Sequence, residues 1–213
     1  MPTNRMKNYF LYAFITVIAL HITMNLTAQN HLSIKLPVSS FAGDAFSNSL
    51  GFGLGLELPL KNGFALNQEA GYIFKVDGAQ KLPGASKVDE INGFKLTTEL
   101  RKYIFKDRMP ASGLFISAEM DNIFTNSTLS DYSELGTVSR YRNSVTLNVG
   151  TKFFWDKEKN GRFTFDLMLG GGIAYLQAKS ENESSEESPP DYARENSTSP
   201  WLNFDIKLGY IIR

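Results

Sequence analysis

The stretch Arg162–Tyr175 (RFTFDLMLGGGIAY) constrains this chain more than any other. Phe163, Phe165, Leu167, Leu169, Ile173 and Tyr175 share one parity, and Thr164, Asp166, Met168, Gly170, Gly172 and Ala174 share the other. Strand side chains alternate between faces, so the segment has one bulky apolar face and one small or polar face. A helix would scatter both sets around its circumference, and three consecutive glycines disfavour it further. Such a strand is long enough to cross a bilayer, which takes about 9–11 tilted residues.

The same period of two recurs along the chain. Leu32, Ile34, Leu36 and Val38 alternate with Ser33, Lys35, Pro37 and Ser39. Leu50, Phe52, Leu54, Leu56 and Leu58 alternate with Gly51, Gly53, Gly55 and Glu57. Lys61-Asn62-Gly63 contains the strongest short hairpin signal. The return strand sets Phe64, Leu66, Ala70, Tyr72 and Phe74 against Asn67, Glu69, Gly71 and Lys75, with Gln68 interrupting its apolar face. Further strands follow over Phe94–Ile104, Leu114–Asp121, Tyr141–Trp155, Phe163–Tyr175 and Leu202–Ile212. Lys102 falls on the apolar parity near a strand end, where it can snorkel to an interface. The count is eight strands, an even number.

The connections alternate in length. Shorter turns fall at Lys61–Gly63, Lys106–Ser112 and Asp156–Gly161, longer loops at Val76–Glu90, Thr125–Ser139 and Ala178–Ser199, and a modest one at Phe41–Asn48. Ser180–Ser199 is acidic and rich in Ser and Pro, which reads as a solvated loop. Aromatic residues collect near strand ends: Phe64, Trp155, Phe163 and Tyr210 on the short-turn side, and Tyr72, Phe94, Phe124, Tyr141, Tyr175 and Trp201 on the long-loop side. Transmembrane barrels have this loop asymmetry and two aromatic girdles. The expected fold is therefore all-β: an eight-stranded antiparallel up-and-down transmembrane barrel. A secreted soluble barrel of the lipocalin type, binding an apolar ligand, has the same alternation with its apolar side inward. Eight strands leave room inside only for packed side chains or one small ligand. The many Phe, Tyr, Leu and Ile of the apolar set fit lipid outside better than that interior.

The N-terminus carries an export signal: Arg5 and Lys7, an uncharged apolar run over Tyr9–Leu20, and Leu26-Thr27-Ala28 before Gln29 as the cleavage site. The apolar run is short of the roughly 20 residues a helical span needs. The expected organisation is a signal peptide over 1–28 and the barrel over 29–213. The 213 residues have no Cys and a formal net charge of zero, so neither disulfides nor a nucleic-acid partner is suggested.

Read as a lumen, the polar face holds Lys35, Lys75, Lys95, Arg101, Arg142, Lys152 and Lys207. Against them stand Glu57, Glu69, Glu99, Glu119, Asp121, Asp166 and Asp205, an equal number. Buried charges are costly unless paired and hydrogen-bonded, so the expectation is a structural network of interior ion pairs that plugs the barrel. A selective small pore is the alternative, though rings of one sign suit a pore better than a balanced set. Catalysis by a nucleophile–base pair usually involves His. The histidines are His21, in the signal, and His31, at the start of the first strand. No metal-ligand spacing or phosphate loop stands out. Gly51-x-Gly53-x-Gly55 and Gly170-Gly171-Gly172 are better read as close-packing positions within strands. The chain is expected not to be an enzyme and to need no cofactor.

Thr27-Ala28-Gln29, the segment Gly51–Leu60 followed by Lys-Asn-Gly, Glu99-Leu100-Arg101-Lys102-Tyr103 and the closing Lys207-Leu208-Gly209-Tyr210 resemble the small outer-membrane β-barrel proteins of the Bacteroidetes. The resemblance spans nearly all of residues 29–213. It implies an outer-membrane location and a barrel fold more than any activity. Many outer-membrane barrels finish on an aromatic residue, whereas this sequence finishes Ile211-Ile212-Arg213. The sequence thus predicts an exported monomer embedded in outer-membrane lipid, both termini periplasmic. Its role is structural or surface interaction with an extracellular partner through loops 125–139 and 178–199.

Overall fold

A computed structural model of the chain describes residues 32–38, 41, 49–75, 90–104, 112–128, 137–155, 161–180 and 197–212. The expected signal segment with His21, and His31 beside it, lie outside the described residues. Eight strands run in chain order: β1 Leu32–Pro37, β2 Ser49–Pro59, β3 Phe64–Lys75, β4 Glu90–Tyr103, β5 Gly113–Thr128, β6 Thr137–Phe154, β7 Phe163–Ser180 and β8 Ser197–Ile212. Each pairs antiparallel with its sequence neighbours, and β1 pairs with β8, from Leu32↔Ile212 to Pro37↔Lys207, to close the barrel. Closure removes the unpaired sheet edges that an open sheet would leave.

The alternation decides which way each residue faces. On β6 the inward parity carries Arg142, Ser144, Thr146, Asn148, Gly150 and Lys152, and the outward parity carries Val145, Leu147, Val149 and Phe153. The hairpin between β2 and β3 turns where Asn-Gly predicts. Asn62 and Gly63 both adopt positive φ (60° and 75°), and the Leu60 N–H donates to the Phe64 carbonyl at 2.7 Å. That backbone twist matches the twist of the flanking strands. The glycine run in β7 is a close-packing device at its inward positions. A Cβ on Gly172 would stand 1.8 Å from the Val145 carbonyl oxygen, and one on Gly170 would stand 2.0 Å from Asn148 Oδ1. Gly171, which faces outward, has room.

Two sequence expectations need correction, and one open position finds its reason. The strands outlast the apolar pattern. Thr125–Thr128 and Thr137–Ser139 belong to β5 and β6, and Ala178–Ser180 and Ser197–Ser199 to β7 and β8, so what is left of the expected loops, 129–136 and 181–196, lies outside the described residues. Interstrand hydrogen bonding continues past the apolar band. Side chains lace these polar extensions together: Ser139 Oγ donates to Asn126 Oδ1 at 2.8 Å, and Ser127 Oγ to the Val138 carbonyl at 3.3 Å. Trp201 does not belong to the outer girdle. It shares parity with Asn203, Asp205 and Lys207, and the Arg142 guanidinium stacks over its ring at 4.3 Å. Gln68, unexplained by periodicity, lies opposite Thr98 of β4, whose hydroxyl donates to Gln68 Oε1 at 3.2 Å. Two polar groups on the outward face thereby satisfy each other.

The outward aromatic residues are in mutual contact. At the loop end Phe94 stacks on Phe124 (4.8 Å between ring centroids) and Phe124 meets Tyr141 (4.7 Å) across three neighbouring strands. At the turn end Phe163 meets Tyr210 edge-on at 5.2 Å. Lys102 lays its Nζ over the Phe64 ring at 4.1 Å and donates to the Asn62 carbonyl, so its charge reaches the turn while its stem covers apolar surface.

Candidate functional site

The chemistry-bearing residues are in the lumen, because polar and apolar residues alternate along every strand and the barrel closes with the polar parity inside. Lys35, Glu57, Glu69, Glu99, Arg101, Glu119, Asp121, Arg142, Lys152, Asp166, Asp205 and Lys207 are all buried, and Lys75 and Lys95 are half-buried on the same parity.

In the half of the lumen nearer the short turns, one continuous network forms. Arg101 sits at its centre. Its Nη1 lies 2.8 Å from Glu57 Oε2 and 2.5 Å from Asp166 Oδ2, and its Nη2 lies 2.8 Å from Glu99 Oε2. The guanidinium also rests on the Phe115 ring, 4.5 Å from the centroid. Lys35 donates to both Asp166 oxygens (2.9 and 2.8 Å) and lies 3.6 Å from Glu57. Lys152 closes onto the other Glu57 oxygen. Lys207 joins Glu69 and also reaches Glu99 at 3.0 Å and Asp205 at 3.3 Å. Asn67 bridges Glu69 and Glu99 through its amide nitrogen. Charge-assisted, multiply bonded contacts of this kind are the strong class of hydrogen bond, and shared partners offset the desolvation of fully buried ions.

Nearer the long loops the charges are spaced more widely. Asp121 lies 3.5 Å from Lys95 Nζ and 3.8 Å from Arg142 Nη2, and accepts from the Thr97 hydroxyl at 2.6 Å. Glu119 accepts from Asn203 at 2.9 Å. Periodicity missed one residue here. Arg140 is buried on the inward parity of β6, because β6 starts at Thr137 and Arg140 is not part of a loop. Among the described residues the interior thus holds eight bases, with Arg140 joining the seven named from sequence, against seven acids, where the sequence reading had an even balance. Parity with Arg142, two residues on, was the available signal.

Among the described residues two apolar clusters also occupy the lumen, and neither was read from the sequence. Ile73, Ile91, Ile123, Val138 and Ala178 pack together at the loop end. Ala65, Tyr103, Phe115 and Met168 pack together at the turn end. Each is assembled from single apolar residues on several strands, set among otherwise polar inward positions. They converge only once neighbouring strands are in register. Among the described residues no group of three or more His, Cys, Asp or Glu is arranged to hold a metal ion.

No known family model matches the chain, and no curated protein does so either.

Proposed function

We propose that this protein is an outer-membrane β-barrel with a plugged lumen, whose role is structural or surface interaction through its outer loops. One observation carries the reading: the barrel wears its apolar parity outside and its charges inside. Leu147, Leu169, Leu202 and Ile173 are 71%, 62%, 84% and 61% exposed, while Lys35, Arg101 and Glu99 are fully buried. A water-soluble barrel rarely displays a contiguous apolar belt of this extent, since large exposed patches mark an apolar partner. Lipid is the partner that can surround a whole barrel. The aromatic contacts at both ends of the belt suit the two bilayer interfaces.

The interior argues against the readings that need an empty lumen. An apolar ligand would meet Lys, Arg, Glu and Asp side chains on the inward face. An ion path would have to pass the paired network and the apolar clusters at either end. The outer loops, 129–136 and 181–196, are then the parts offered to an extracellular partner, and an epitope placed at Ser185 is detectable on intact cells.

The test uses residues 29–213 expressed with the export signal. The protein stays with the membrane fraction after a sodium carbonate wash, and unheated samples migrate faster on an SDS gel than heated ones. In a planar bilayer the purified protein gives no steady conductance. Recovery as a detergent-free soluble monomer overturns the membrane reading, and large single-channel steps overturn the plug.

A further inference from the structure

At the turn end of the outward apolar belt, side chains of three adjacent strands enclose a groove. Ile34, Tyr210 and Phe163 lie abreast on β1, β8 and β7, and Leu36, Leu208 and Phe165 form the next rank toward the loop end. Thr164 and Gly209, on the inward parity, form the floor between the two ranks. Trp155, one residue past the end of β6, stands at the side, with its N–H donating to the Phe163 carbonyl at 3.1 Å. The groove measures about 480 Å³. Sites that take small molecules span about 300–1,000 Å³ and are lined mainly by apolar and aromatic side chains, with a few placed polar groups.

The polar groups are at the rim on the turn side. Arg162 is exposed there, and its Nη1 donates to the Tyr210 hydroxyl at 3.0 Å. The Arg162 carbonyl accepts from the Ile211 N–H at 2.8 Å, so backbone and side chain are both tied to β8. A guanidinium carries five N–H donors in a rigid planar fork that matches phosphate, and Tyr210 takes one of them. Trp and Tyr beside the rim are the side chains that sit at headgroup level in a bilayer. An apolar segment of a second copy would fill the groove and leave the guanidinium without an anion. A phospholipid supplies both parts in one molecule.

We propose that this groove is a binding site for one anionic glycerophospholipid, with an acyl chain between the two ranks and the phosphate on Arg162 and the Tyr210 hydroxyl. The site rests on the reading that the outward face meets lipid, and it names one lipid class and one place on that face.

The test reads Trp155. The chain has two tryptophans, and Trp201→Phe, which keeps a ring for Arg142 to stack on, leaves Trp155 as the only one. The purified Trp201→Phe protein is reconstituted into phosphatidylcholine vesicles. Lipid brominated on its acyl chains, which quenches tryptophan on contact, is then included as phosphatidylcholine or as phosphatidylglycerol over the same mole fractions. The expected result is a relative affinity for phosphatidylglycerol about fivefold higher, the size of one basic residue's attraction to anionic lipid. Adding Arg162→Gln removes the preference; if that protein does not fold, Tyr210→Phe, which releases the guanidinium, lowers it. Lys102→Gln, at the turn end but over Phe64, leaves it unchanged. Equal quenching by the two lipids in inserted protein overturns the site, as does a preference that survives in folded Arg162→Gln protein or is lost equally in Lys102→Gln. A Trp155 that neither lipid quenches, in protein that sediments with the vesicles, shows the groove covered by protein and overturns lipid as its occupant. Protein that never associates with vesicles overturns the membrane reading itself, and the site with it.

Discussion

Replacing Arg101 by Met removes the hub of the turn-end network while keeping a long side chain against Phe115. Three carboxylates lose a partner: Glu57 at 2.8 Å, Asp166 at 2.5 Å and Glu99 at 2.8 Å. None is stranded. Glu57 keeps Lys152 and, at 3.6 Å, Lys35; Asp166 keeps Lys35 at 2.8 Å; Glu99 keeps Lys207 at 3.0 Å. Charge in this group nevertheless goes from four bases against five acids to three against five. Breaking a buried pair costs about 3–5 kcal/mol. The retained partners set Arg101→Met near the low end, about 3 kcal/mol. Arg101→Glu adds a sixth acid and costs about 5 kcal/mol or more on the same scale. Adding Glu99→Gln to Arg101→Met restores the original excess of one negative charge and recovers about 1–2 kcal/mol, the usual size of coupling between contacting residues. The assay is urea unfolding of the barrel in detergent micelles or lipid vesicles, followed by the unheated gel shift. An Arg101→Met protein as stable as the parent, or a double variant no better than the single one, refutes the hub.

Leu147→Arg tests the outer face, because the position points away from the lumen and is 71% exposed. In lipid the substitution costs about 2–4 kcal/mol near the midplane, whereas at a water-facing site it stays within about 0.5 kcal/mol. Gly172→Ala puts a Cβ against the Val145 carbonyl and destabilises by about 1–3 kcal/mol through overpacking. Gly171→Ala, whose nearest neighbour would be 3.6 Å away, is close to neutral in the same unfolding assay. Thr98→Val leaves Gln68 without its donor and costs about 1 kcal/mol. The double variant with Gln68→Leu regains that loss, as the unfolding midpoints of the three proteins will register.

A period of two is a local property, and what it dictates was readable residue by residue. It gave the number of strands, their pairing with sequence neighbours through turns such as Asn62-Gly63, and the separation of Leu147 from Asn148 and of Leu167 from Asp166. It also grouped the charges that share the lumen. Strand ends were less legible. Thr125–Thr128 and Thr137–Arg140 carry one apolar residue between them, Val138, too few to separate their strands from loops, and Arg140 was lost with them. Trp201 was drawn to the girdle by residue type, although its parity with Asn203 already placed it inside.

Alternation by itself treats the two faces alike. It is tertiary closure, through β1 on β8, that turned the charged face inward and the apolar face out. Closure also chose the partners: Lys35 meets Asp166 and Lys207 meets Glu69 across separations of 131 and 138 residues, distances over which no local pattern carries information. The apolar clusters at the two lumen ends arise in the same way. Each is assembled from single residues on several strands, and only the register of the closed sheet brings those residues to one place.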